Sequence, residues 1–171
     1  AFLSILRNLP MHLNIDAVYR RQRFGRGYDR EQESTEMTLF LVVGFLSSFL
    51  RARMMDFFGL MASARIDSWL SVAKEMLCAL APRIEFFYLA PFISLFRFGD
   101  EAVERCLQQE AHLLYRGQGE LRAAEANMLF LPSLLMPHVF TRLYNALTLT
   151  FPAAPYVLAA LLHAIAGSFG T

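Results

Sequence analysis

From Ala126 to Thr171 the chain runs for 46 residues with a single formal charge, Arg142. Such a tract has to lie against lipid, against other proteins or in a large core, since each Å² of apolar surface left in water costs about 25 cal/mol. Prolines divide it into two pieces: Ala126 to Thr141 carries Pro132 and Pro137, and Leu143 to Gly170 carries Pro152 and Pro155. As a helix the second piece would reach about 42 Å, more than the ~30 Å hydrocarbon core of a bilayer. Its small residues (Ala153, Ala154, Ala159, Ala160, Ala164, Ala166, Gly167) suit close packing on a partner helix, and membrane helices tolerate proline where neighbours satisfy the freed carbonyl. The other reading is a soluble core element with Asn145, Thr148, Thr150 and His163 on its wetter side.

A second apolar stretch, Met37 to Leu50, has 14 residues without a charge and as a helix covers only about 21 Å. Arg51 and Arg53 follow at once and would snorkel to headgroups, lengthening the usable segment. The sequence predicts one helix from about Thr35 to Ala64, with Ser34 or Thr35 as N-cap. A buried helix of a soluble bundle is the alternative.

Between these tracts the pattern is helical. Ile66, Trp69, Leu70, Ala73, Leu77 and Leu80 recur at intervals of three and four, with Arg65, Asp67, Ser71, Lys74 and Glu75 opposite them, so the apolar set is expected to face inward. Pro82 ends this helix. Phe86 to Phe96 is an aromatic segment interrupted by Pro91. Asp100, with Glu101 and Glu104 behind it, predicts a helix start, and Gly117 an end, giving a helix over 101–116. β-strand signals are few.

Residues 1–36 read as an extended, Arg-rich N-terminal arm, and 37–171 as a helical, partly membrane-embedded domain. In the arm Arg20, Arg21, Arg23, Arg26 and Arg30 interleave with Tyr19, Phe24 and Tyr28, while Gly25 and Gly27 oppose a stable helix. Arginines among aromatics suit an anionic lipid surface or an acidic partner. Over the whole chain 16 basic and 15 acidic residues balance to +1, which argues against a nucleic-acid partner. Apolar residues make up 56% and charged residues 18%, so disorder and a simple coiled coil are excluded.

Catalytic signatures are missing. The one lysine, Lys74, follows Ala73 and completes no phosphate loop, and no GxSxG, HExxH or EF-hand pattern occurs. Cys78 and Cys106 form no CxxC, and His12, His112, His138 and His163 are scattered, so no metal or cofactor is assigned. An enzymatic reading would have to use His138 and Arg142. A charge as isolated as Arg142 is expected to face a carboxylate, a lipid phosphate or a water cavity.

Leu114-Tyr115-Arg116, followed by Leu121-Arg122-Ala123-Ala124 and Phe130, resembles the LYR-motif proteins of mitochondria, small helical accessory subunits and assembly factors that contact acyl carrier protein or iron–sulfur transfer machinery. In that family the motif lies near the start of a three-helix protein, whereas here it lies late and Gly117 and Gly119 follow it directly. We set it aside as a chance match.

These features predict an all-α, irregular helical membrane protein with one or two transmembrane helices plus amphipathic helices. The expected role is a non-catalytic accessory subunit of a large mitochondrial inner-membrane complex, of the respiratory chain or ATP synthase, with other subunits and membrane lipids as partners. The step to mitochondria rests on Ala1 in place of an initiator Met, the Arg-rich and Lys-poor composition and the missing catalytic motifs. Lipid or partner contacts are expected at Arg20, Arg21, Arg23, Arg26, Arg51, Arg53 and Arg142, with a structural anionic lipid such as cardiolipin as the one candidate ligand. The alternative is a soluble helical protein holding a lipid or quinone in an apolar cavity lined by Phe86, Phe87, Tyr88, Phe92 and Phe96.

Overall fold

The computed structural model describes residues 16–25, 30–96, 99–113 and 117–169. Every element there is helical, with no strand among the described residues: α1 (Asp16–Phe24), α2 (Arg30–Phe58), α3 (Leu60–Leu80), a 3-10 turn (Ile84–Leu89), α4 (Ala90–Ile93), a second 3-10 turn (Ser94–Phe96), α5 (Gly99–Leu113), α6 (Gln118–Leu147) and α7 (Ala154–Phe169).

The helix expected from Thr35 begins earlier, at Arg30, and breaks at Gly59, whose φ of 79° and ψ of 161° lie in a region open essentially to glycine alone. That one residue folds α2 back along α3. Arg20 of α1 pairs with Glu36 near the start of α2, and the Tyr19 hydroxyl of α1 bonds the carbonyl of Ala79 at the end of α3. The start of α2 and the end of α3 therefore meet at α1, and the two helices form an antiparallel hairpin.

α3 is the central helix, packed most extensively on α7 and next on α5. Gly167 of α7 lies so close to α3 that an added Cβ would stand 3.2 Å from the Ser68 Cβ and 3.3 Å from the Trp69 Nε1. At the other end of α7, Tyr156 meets the Tyr19 ring at 4.8 Å between centroids. α7 thus runs antiparallel to α3, in a register that sets His163 near the level of Val72 and Ala73.

The main core lies at the α1 end, where Tyr19, Cys78, Ala79, Phe87, Ala90, Tyr144, Ala153 and Tyr156 are buried together. A smaller cluster at the Gly59 end joins Met55 to Ala102, with Met54, Leu60 and Ala64 against it.

Three sequence expectations change here. Where an extended arm is expected, Asp16–Phe24 is helical: the helix lies wholly before Gly25, whose φ of 63° then ends it. The apolar segment 143–169 is not one long helix, because α6 stops at Leu147 and a turn through Pro152 precedes α7, whose 16 residues reach only about 24 Å. α6 passes through Pro132 and Pro137 without a break. One helix among the described residues is long and apolar enough, by length and composition, to cross a membrane: the 25 residues Ser34–Phe58 within α2.

Candidate functional site

The predicted arginines divide. Arg20 is buried, ion-paired to Glu36, and its guanidinium carbon stands 4.6 Å from the centre of the Phe87 ring. It fastens α1 to α2 and to the 3-10 turn and is not available to lipid. Arg23 donates to the Tyr19 hydroxyl and, at 2.9 Å, to the Ala79 carbonyl, so it caps the end of α3, whose last carbonyls have no partner within the helix. Arg21 points outward. Arg26 lies outside the described residues, as does the Leu114-Tyr115-Arg116 tripeptide.

At the opposite end Arg51 does not snorkel freely. It donates to Glu101 of α5 at 3.2 Å, and Glu101 also accepts from Arg105 at 2.7 Å. Arg53 is exposed one turn from the end of α2. Arg142 is exposed on α6, and no ion pair among the described residues includes it. His138, the other member of the enzymatic reading, is exposed on the same helix.

The α1 end is further closed by the Gln22 side-chain oxygen, which accepts hydroxyls from Tyr144 and, at 2.9 Å, from Thr148. These bonds tie α1 to the end of α6. Burial pushes the Tyr19 phenol above its ordinary pKa of 10.0, with the nearby Arg23 opposing the shift.

The aromatic set proposed to line a cavity is split between core and surface. Phe87 is buried, whereas Phe86, Phe92 and Phe96 are exposed. Cys78 and Cys106 are not joined in a disulfide: Cys78 is buried, and the Cys106 sulfur stands 4.0 Å from the Met61 sulfur. Among the described residues no three His, Cys, Asp or Glu side chains are grouped to hold a metal ion.

The residues that sequence reasoning missed lie on α3. Its buried face consists of Ser63, Asp67, Ser68, Ser71, Glu75, Cys78 and Ala79, while Met61, Trp69 and Leu80 are exposed. The period is the expected one but rotated: Asp67, Ser71 and Glu75 turn inward and Trp69, Ala73 and Leu80 outward, while Ile66, Leu70 and Leu77 are half-buried and Arg65 stays exposed. α7 repeats the arrangement: Ala159, Ala160, His163, Ala166 and Gly167 face inward and Leu161 and Ile165 outward. Small residues let the two backbones approach, and the polar groups among them are withdrawn from the outer surface. The four-residue recurrence of Ser63, Asp67, Ser71 and Glu75 carries the α3 face in the sequence, but a helical period alone does not say which face turns inward.

Along α2 the outward apolar residues form a strip. Phe45 and Phe49, edge to face at 4.9 Å between centroids, are each 65% exposed. With Met37, Leu41, Val42, Leu46 and Leu50 beside them, the strip is on the order of 500 Å² or more, at or above the largest apolar patch of a typical soluble monomer. Apolar patches of this size mark contact surfaces more often than solvent-facing ones.

Comparison of the chain with protein-family models, with curated proteins and with solved structures finds no match.

Proposed function

We propose that this chain is a membrane-embedded, non-catalytic structural subunit of a large assembly, and that the assembly belongs to the mitochondrial inner membrane, in the respiratory chain or the ATP synthase. The observation that carries the membrane part is the rotation of the α3 faces: Asp67 and Glu75 are inside while Trp69 and Leu80 are outside. In water that arrangement withdraws carboxylates from solvent and exposes large apolar groups, and both carry a cost. In lipid, or among the helices of other subunits, both become the favourable choice.

The α2 strip and the outer faces of α3, α6 and α7 are the surfaces that meet lipid tails and neighbouring subunits. Arg21 on α1, Arg53 on α2 and Arg142 on α6, all exposed, meet lipid phosphates or carboxylates of neighbours, and an anionic lipid such as cardiolipin suits Arg21 beside the closed α1 end. The mitochondrial assignment is supported by the Arg-rich, Lys-poor composition and the missing catalytic motifs.

Alkaline carbonate extraction of mitochondrial membranes, followed by native electrophoresis with mass spectrometry of each band, tests both parts. The chain is expected in the carbonate-resistant pellet and in a band of megadalton size together with respiratory or ATP synthase subunits. Release by carbonate would end the membrane reading, and a pellet location with migration at the chain's own 19.5 kDa would end the subunit reading.

A further inference from the structure

Along the inner face of α3, Ser63, Asp67, Ser71 and Glu75 follow one another at four-residue spacing and are all buried. They cover about 18 Å of helix, with neighbouring side chains about 6 Å apart. His163 of α7, the helix packed most extensively on α3, is buried as well. Helix adhesion asks for closed hydrogen bonds, and Ser68 on the same face supplies one, its hydroxyl donating to the Ala64 carbonyl at 3.1 Å. Ser63 and Ser71 do not behave so. They are 1% and 2% exposed, and neither hydroxyl has a hydrogen-bond partner.

A buried hydroxyl left unsatisfied costs about 1–3 kcal/mol, and ordered water is what ordinarily satisfies such groups. The spacing fits: one water bridges a ~6 Å gap with two hydrogen bonds of about 2.8 Å. Both ends of the line carry polar contacts. The backbone N–H of Ser63 donates to Gly59, and Gly59 lines an open groove of about 540 Å³ with Phe58, Met61, Arg65, Cys106 and Gln109. At the other end Glu75 accepts from Lys74 at 3.1 Å, and one turn further the Tyr19 hydroxyl meets the Ala79 carbonyl.

We propose that the inner face of α3 is a hydrated file that passes protons between the Gly59 end and the α1 end of the bundle. Water and the hydroxyls of Ser63 and Ser71 both donate and accept, while Asp67, His163 and Glu75 take up and release the proton. At each step an O–H or N–H bond of the donor breaks as one forms on the next acceptor. The net change is one proton moved from one end to the other, with no other bond altered. The inference rests on the membrane reading above, since a file of this kind has a function only where the two ends of the bundle face separate compartments.

The test uses the full chain reconstituted into phosphatidylcholine vesicles that enclose the pH dye pyranine, with an outward potassium gradient and valinomycin to supply the driving force. Protein-containing vesicles are expected to acidify after valinomycin. Ser71→Ala and Asp67→Asn are each expected to slow that flux about tenfold, the effect of roughly 1.4 kcal/mol on a barrier. Ser68→Ala, whose hydroxyl is already closed on a carbonyl, is expected to leave it unchanged. Carbonate resistance of each variant in the same vesicles checks insertion. Inserted protein without flux, or equal flux in the Ser71→Ala and Ser68→Ala variants, overturns the file and leaves the membrane reading standing. Protein washed from the vesicles overturns both.

Discussion

Replacing Arg20 by Met removes the guanidinium that faces Glu36, a carboxylate only 4% exposed. Losing one partner of a buried ion pair costs about 3–5 kcal/mol, whereas replacing both by apolar residues of similar volume is often close to neutral. Chemical unfolding in detergent, followed by circular dichroism, should therefore show Arg20→Met strongly destabilised and the double variant Arg20→Met with Glu36→Leu largely restored. Tyr19 supplies a pH dependence in the same cluster. Burial raises the pKa of its phenol above 10.0, so the folded chain keeps a proton that the unfolded chain gives up. That contribution to stability is complete below pH 10 and is lost as pH rises through the higher, folded value. Tyr19→Phe should flatten the decline of stability above about pH 10; an unchanged decline would place its origin elsewhere.

At the scale of elements, the α3–α7 contact depends on Gly167. A Cβ there would meet the Ser68 Cβ at 3.2 Å and the Trp69 Nε1 at 3.3 Å, so Gly167→Leu should cost about 1–3 kcal/mol by overpacking. Gly44, within α2 and with nothing near its absent Cβ, is the control: in detergent Gly44→Ala should stabilise by roughly 0.5–1 kcal/mol through backbone entropy alone. The difference between these glycines could not be read from the sequence, because it lies in what stands opposite each. Other features were legible. The turn residues around 82 and 117 mark true helix ends, and the period of residues 65–80 marks a true helix. What the sequence left ambiguous was which face of that helix turns inward, since the same three-and-four pattern serves a helix in water and its inverse in lipid. Proline was overweighted in α6, where Pro132 and Pro137 sit inside a continuous helix, and glycine was overweighted in α1, where Gly25 ends a helix already formed.

For the whole molecule, the α2 strip, the exposed Trp69 and the inward Asp67 and Glu75 belong to one arrangement: acidic groups withdrawn to the inner face of α3, and large apolar groups outside around the waist of the bundle. No single residue required it in the sequence. It emerges from the Gly59 hairpin and from the antiparallel seating of α7 on α3, both long-range consequences of packing. The chain contains one tryptophan, Trp69, on the outer face of α3 and 52% exposed, so its fluorescence reports on the medium around the waist. We would reconstitute the chain in vesicles and compare quenching by brominated lipid with quenching by aqueous iodide. An inverted bundle predicts strong quenching by the brominated tails and little by iodide. Quenching by iodide with none from the brominated lipid would mean that water surrounds the waist, and would contradict the account.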